Sequence, residues 1–212
     1  MQKLDKKIGS NNMINYSYLA LGDSYTIGEQ VPLAENFPNQ TVQQLRKMGF
    51  AFYAAEIIAK TGWTTDELNT AIENTTFLKK YDIVSLLVGV NNQYRGRSAK
   101  EFKIEFEQLL QKAIQFADNQ PGRVFVLSIP DWGITPFAEG RDRKQIASEI
   151  DAFNAVCKNS AATFQTHFIN IISSQRADGN KTVFLAADGL HPSGIEYSKW
   201  AAKLTDAILK AL

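Results

Sequence analysis

The sequence contains very little cysteine and histidine. Among 212 residues there is one cysteine, Cys157, and there are two histidines, His167 and His191. A single cysteine excludes an intramolecular disulfide, and the lack of a Cys/His cluster argues against a zinc site. Cys157 falls on the apolar stripe of a predicted helix, so we expect a buried structural thiol there and not a nucleophile.

Excess charge and long apolar runs are also missing. With 23 Lys plus Arg against 22 Asp plus Glu, the net charge is +1, which gives no field to attract nucleic acid or an anionic membrane. No stretch approaches the ~20 apolar residues of a membrane span. Residues 1–15 are polar and lack the apolar core of a signal peptide. The chain as written is therefore expected in the cytoplasm; secretion or a periplasmic location stays open if a leader was removed.

The sequence does contain a regular alternation of short apolar runs and longer helical stretches. Capping-box spacing opens three of the helical stretches, at Thr64, Ser98 and Ser193. The apolar runs are continuous, which is typical of parallel strands covered on both faces. They span residues 18–22, 54–59, 82–89, 124–129 and 168–172.

This alternation predicts one domain of the α/β class. We expect three layers, α/β/α, around a mainly parallel five-stranded sheet. The domain is expected to cover residues 16–212, after a polar extension over residues 1–15. Ligands bind beyond the carboxyl ends of the strands in such sheets, so reactive residues should follow strands.

A candidate nucleophile directly follows the first predicted strand, in Gly22-Asp23-Ser24-Tyr25. A serine hydroxyl is a weak nucleophile unless a base removes its proton. Gly22 would permit a tight turn at this point. The alternative is that Ser24 only caps a short helix.

A candidate base lies near the end of the chain, in Asp188-Gly189-Leu190-His191-Pro192. Pro192 biases His191 away from helical geometry and into an extended loop. Asp188 is near enough to accept one ring N–H, which leaves the other nitrogen to take a proton from Ser24. Alone, Asp-x-x-His is equally compatible with a local loop hydrogen bond.

Two further residues are candidates for stabilising a developing oxyanion. Gly62 follows the second strand and can offer an unobstructed backbone N–H, while Asn91 follows the third and can offer its side-chain amide. The backbone N–H of Ser24 would be the third donor. Taken singly, each is also compatible with ordinary turn chemistry.

The candidates fall into four ordered blocks: GDSY at 22–25, TGWT around Gly62, GVNN at 89–92 and DGLH at 188–191. These blocks resemble those of the SGNH hydrolase superfamily, also called the GDSL esterase/lipase family. The resemblance runs from residue 18 to the end of the chain. It implies a flavodoxin-like fold, no metal or other cofactor, and hydrolysis of esters or thioesters.

The resemblance also implies roles for the candidate residues. Ser24 becomes the nucleophile, His191 the base and Asp188 the acid that orients the imidazole. Gly62 and Asn91 become oxyanion donors beside the Ser24 N–H.

Two positions depart from the family pattern. Tyr25 stands where leucine is usual, which should alter only packing or the cleft wall. Asn92 stands where aspartate is usual, so the hydrogen bonds around Asn91 should differ from the common arrangement.

The substrate is predicted only as a class, a small-molecule ester such as an acetylated sugar or lipid. The chain is too short for a large lid, which favours a short acyl group such as acetyl. An acyltransferase, a thioesterase or lysophospholipase, and a non-catalytic binding module are the alternatives; an intact Ser, Asp and His argue against the last. The sequence does not indicate an oligomeric state.

Six residues are candidates for lining the substrate cleft: Asp23, Tyr25, Trp63, Asn92, Tyr94 and Trp132. The aromatic residues among them are equally suited to capping the core.

Overall fold

The structure is a computed structural model that describes residues 15–212; the predicted extension over residues 1–15 lies almost wholly outside them. All five strands are parallel and follow the order β2-β1-β3-β4-β5. This confirms the predicted α/β class and the parallel sheet. Strands β1 to β5 span Tyr18–Asp23, Glu56–Lys60, Ile83–Leu87, Val124–Leu127 and His167–Ile169.

Helices cover both faces of the sheet. The chain passes from β1 to β2 in one direction and then reverses, so right-handed crossovers put α2 on one face and α3, α5 and α6 on the other. The C-terminal helix α8 packs against α2 and completes the third layer. Helices α1 to α8 span Ser24–Ile27, Phe37–Lys47, Thr65–Glu73, Val90–Tyr94, Ala99–Phe116, Arg143–Thr163, Ile172–Asp178 and Gly194–Ala211.

The strands differ in burial according to their place in the sheet. β1, β3 and β4 are buried at every position, as expected for inner parallel strands between two helical layers. β2 lies at an edge and is only half-buried. Its apolar pattern is correspondingly weak, and it begins at Glu56, two residues later than the predicted run.

Cys157 and His167, which were not predicted to be catalytic, lie in the packed structure of the domain. Cys157 is buried in α6, where burial raises the pKa of its thiol. His167 begins β5, stacks on Phe125 and places Nε2 3.0 Å from the carbonyl oxygen of Gly122.

Within residues 15–212, no helix is both long and apolar enough to cross a membrane.

Candidate active site

The predicted site residues come together at the carboxyl edge of the sheet. Ser24 is the first residue after β1, and Gly62 follows β2 by two positions. Asn91 lies in α4, just beyond β3, and His191 lies in the loop before α8. In the 2-1-3-4-5 order, β1 and β3 flank the point where the chain reverses direction, which is where open α/β sheets bind ligands.

A continuous hydrogen-bond chain connects the serine, the histidine and the aspartate. The Nε2 atom of His191 lies 2.9 Å from Ser24 Oγ, and its Nδ1 atom lies 2.6 Å from Asp188 Oδ2. Ser24 and His191 are both buried. Because the carboxylate accepts at Nδ1, the neutral ring carries its proton there and presents Nε2 to the serine hydroxyl.

The loop that carries His191 is held by backbone bonds. The backbone N–H of Ala186 donates to the His191 carbonyl at 2.8 Å, and Leu185 forms an antiparallel bridge with Pro192. Asp188 Oδ1 accepts the backbone N–H groups of Leu190 and His191. These bonds leave the imidazole little freedom to swing away from Ser24.

The protonation state of Asp188 follows from the same contacts. Partial burial raises the pKa of this carboxyl, but the His191 ring and the two backbone N–H groups outweigh that effect and hold the pKa below its usual value. The group is therefore ionised at neutral pH. Its negative charge therefore lies against the Nδ1 side of the His191 ring.

Ser24 is presented by a close turn. Asp23 ends β1 and caps α1, since its carboxylate accepts the backbone N–H of Tyr25. Burial raises the pKa of Asp23 to about 7, although the backbone N–H groups near it act in the opposite direction. Gly22 is required by space and not by a special turn: a Cβ atom there would lie 2.1 Å from Thr26 Oγ1 and 2.4 Å from the Leu87 carbonyl oxygen.

The two candidate oxyanion donors are held by neighbouring groups. Gly62 has a φ of +82°, a conformation that strains other residues. Its carbonyl oxygen accepts from Arg95 Nη2 at 2.6 Å, and Arg95 also pairs with Glu67. Within residues 15–212, the Gly62 N–H has no hydrogen-bond acceptor. Asn91 donates from Nδ2 to the Trp63 carbonyl at 3.0 Å, which leaves its second amide N–H for another acceptor.

Asn92 is buried behind this pair of donors. Its Oδ1 atom accepts the backbone N–H of Thr65 at 3.1 Å. Its Nδ2 atom donates to Thr65 Oγ1 at 2.6 Å and lies 3.3 Å from Glu105 Oε2. The same glutamate accepts the Thr65 hydroxyl and pairs with Arg97. Asn92 thus links the segment after β3 to the start of α3, with its amide donors facing Glu105.

A small cleft opens beside Ser24 and His191. This Ser24 cleft has a volume of about 170 Å³. Of the six predicted cleft residues, Tyr25, Tyr94 and Trp132 line it. The other three do not line it. Asp23 and Asn92 are buried, and Trp63 contributes the carbonyl oxygen that accepts the Asn91 amide.

Four lining residues are not among those predicted from the sequence. They are Thr61, Val90, Phe137 and Leu190. Thr61, Val90 and Leu190 directly precede the predicted site residues Gly62, Asn91 and His191 in the sequence. Their place at the site could therefore have been predicted from these neighbours. No sequence pattern pointed to Phe137. It lies at the site in the tertiary structure, where its backbone N–H donates to the Gly189 carbonyl, which connects two separate loops.

The fold and the site together define a serine hydrolase built on a parallel three-layer α/β domain. The chain belongs to the GDSL-like lipase/acylhydrolase family, whose sequence model matches residues 20–197. Membership in this family confirms the resemblance read from the four blocks. It also makes the protein an ester-hydrolysing enzyme of the GDSL type.

Solved structures share the fold at low sequence identity. TesA superposes with a TM-score of 0.73 at 19% identity, covering 92% of this chain and 99% of that chain. The lipase/acylhydrolase from Enterococcus faecalis gives 0.71 at 20% identity, with coverages of 91% and 95%. The acetyl xylan esterase AlAXEase gives 0.71 at 19% identity, with coverages of 92% and 100%. No curated protein matches the sequence.

Proposed function

We propose that this protein hydrolyses carboxylic esters with a short acyl group, such as acetyl, through an acyl-enzyme on Ser24. The observation that carries the proposal is the unbroken chain Ser24–His191–Asp188, with contacts of 2.9 and 2.6 Å. A serine, a base and an orienting acid within hydrogen-bond reach form the arrangement that activates a hydroxyl for acyl transfer.

In the proposed first step, His191 Nε2 takes the hydroxyl proton as Ser24 Oγ attacks the ester carbonyl. The charge that develops on the carbonyl oxygen is held by the N–H groups of Ser24 and Gly62 and by the Asn91 amide. The bond to the alcohol oxygen then breaks, and that oxygen takes the proton from His191. Water, deprotonated by the same ring, releases the acid and restores Ser24.

The size of the Ser24 cleft supports a short acyl group. Its volume of about 170 Å³ is smaller than the roughly 300–1,000 Å³ of pockets that enclose drug-sized ligands. Bulky side chains from Tyr25, Trp132 and Phe137 form its walls. AlAXEase, which shares the fold, is by its name an esterase of acetylated xylan, and this agrees with an acetyl group as the one transferred.

Two measurements test the proposal. A fluorophosphonate probe followed by peptide mapping should label Ser24 in the wild type and leave a His191→Ala variant unlabelled. A series of p-nitrophenyl esters should show its highest kcat/KM at acetate to butyrate. Highest activity at C12 or longer would contradict the short acyl group.

Hydrolysis and acyl transfer share this acyl-enzyme and are separated by product analysis. We expect free acid to remain the main product when acceptor sugars are added. A transferred ester as the main product would replace hydrolysis by transfer and leave the role of Ser24 intact.

A further inference from the structure

A second cavity adjoins the Ser24 cleft and has no role in the steps above. It has a volume of about 520 Å³, roughly three times that of the cleft, and Tyr94 and Trp132 line both. Unlike the cleft, it falls within the roughly 300–1,000 Å³ range of small-molecule sites. We call it the polar cavity; its main lining side chains are Gln93, Tyr94, Trp132, Arg141, Gln145 and Glu149.

The polar groups of this cavity are organised in advance of any ligand. Gln93 is buried, accepts the Trp132 indole N–H at 2.8 Å and donates to Glu149 Oε2 at 2.6 Å. The other carboxylate oxygen of Glu149 accepts from Gln145 Nε2 at 2.8 Å. Amide, carboxylate and indole therefore form one network along the wall next to the catalytic cleft.

The charge in the polar cavity is nearly balanced. Arg141 supplies a guanidinium that has no ion pair within residues 15–212, and Glu149 supplies one carboxylate. The Asp142 carboxylate is engaged at the start of α6, where it accepts the backbone N–H groups of Lys144 and Gln145. A balanced wall of donors and acceptors favours a neutral ligand with many hydroxyls over an anion or an apolar chain.

An aromatic surface completes the cavity. Tyr94 is 48% exposed and packs edge-on against Trp132, with ring centroids 5.3 Å apart. Polar side chains beside a half-exposed aromatic ring suit a sugar ring, whose hydroxyls lie around its edge and whose faces carry C–H groups that pack on an aromatic surface.

We propose that the polar cavity binds the alcohol part of the substrate, and that this alcohol is a neutral sugar. The inference rests on the proposed function, since it assigns the acyl part and the alcohol part of the same ester to the Ser24 cleft and the polar cavity. The short acyl group occupies the Ser24 cleft, and the sugar that leaves with the His191 proton extends past Tyr94 into the polar cavity.

The first test compares two acetate esters with different alcohols. The ratio of kcat/KM for acetylated xylotriose to that for ethyl acetate should fall at least tenfold in Arg141→Ala and in Gln145→Ala, mainly through KM. Lys144→Ala is the matched control, because Lys144 is exposed next to Gln145 in α6 and does not line the cavity; its ratio should stay within twofold of the wild type. Thermal unfolding verifies that each variant is folded.

The second test does not depend on turnover. Unesterified xylotriose, titrated into the Ser24→Ala protein and followed by NMR, should perturb the Trp132 indole signal, and Arg141→Ala should weaken this binding at least fivefold. Xylotriose binding to Ser24→Ala, combined with a wild-type protein that hydrolyses no ester, would support the cavity and remove the proposed function. Hydrolysis of ethyl acetate with an unchanged ratio in both variants and no xylotriose binding would overturn the sugar site and leave the proposed function standing. A preference for a lysophospholipid over acetylated xylotriose would also overturn it.

Discussion

The Nε2 atom of His191 lies 2.9 Å from the Oγ atom of Ser24, although the two residues are 167 positions apart in the sequence. Ser24 follows the inner strand β1, and His191 lies in the loop that leads into the C-terminal helix α8. The packing of α8 against α2 brings that loop to the carboxyl end of β1. The contact on which the proposed catalysis depends is thus made by the packing of the whole domain.

Replacing the members of this contact should remove activity without unfolding the protein. We expect Ser24→Ala and His191→Ala each to lower kcat by at least about 10⁴-fold on p-nitrophenyl acetate, because each removes a group that acts as one unit with the others. Asp188→Asn should cost somewhat less. Circular dichroism and thermal unfolding should match the wild type. Retention of most of the activity in Ser24→Ala would end the assignment of the nucleophile.

Asn91 should matter for kcat and much less for KM. Asn91→Ala removes the donor proposed to stabilise charge that exists only in the transition state, and we expect a loss of about 2.7–4 kcal/mol, or about 10²–10³ in kcat. Asn91→Asp keeps the size and replaces the donor by an acceptor, so its loss should be at least as large. A raised KM with unchanged kcat in both variants would assign Asn91 to ground-state binding.

Asn92 and Glu105 should show compensation. Asn92→Asp alone places a second carboxylate near Glu105, where the amide now donates at 3.3 Å, and should lower stability by about 1–3 kcal/mol together with kcat. Adding Glu105→Gln exchanges the two groups, so that the pair again consists of one amide donor and one carboxylate. The double variant should recover most of both losses in urea unfolding and in p-nitrophenyl acetate assays. Additive losses would mean that the two side chains do not interact.

Asp23 should make stability depend on pH. Its pKa is raised from 3.8 to about 7, so the folded state retains a proton that the unfolded state has lost. Stability contributed by this proton falls as pH rises from about 4 to 7 and is constant above that window. Relative to Asp23→Asn, which keeps an oxygen to cap α1, the wild type should lose about 2–3 kcal/mol between pH 5 and pH 8. Urea unfolding at both pH values measures this difference, and a constant difference would show that the carboxyl is ionised throughout.

Much of the fold was predictable because buried parallel strands leave a local signature. The runs at 82–89 and 124–129 contain β3 and β4, and the capping pairs at Thr64 and Ser98 begin α3 and α5 as expected. Helix α2 was missed. Its sequence FPNQTVQQLRK is rich in amides, and only the packing of Phe37, Val42 and Leu45 into the core makes its apolar face evident. Pro38 near its start was an available signal.

The site was predictable to the extent that it depends on local sequence. Asp188 and His191 are three residues apart, so their hydrogen bond needs only one loop. Three features could not be predicted, because they involve residues from separate elements. These are the hydrogen bonds between Asn92 and Glu105, the position of Phe137 at the site and the size of the cleft.

The sequence by itself determined which residues follow strands, where helices begin and which short motifs can carry acyl transfer, because periodicity, capping and turn chemistry act over a few residues. Only the tertiary structure decided that Ser24 meets His191, that the space beside them is small, and that a larger polar cavity lies behind Tyr94. These features depend on strand order, crossover direction and the packing of distant helices, and no local pattern encodes the distances that result.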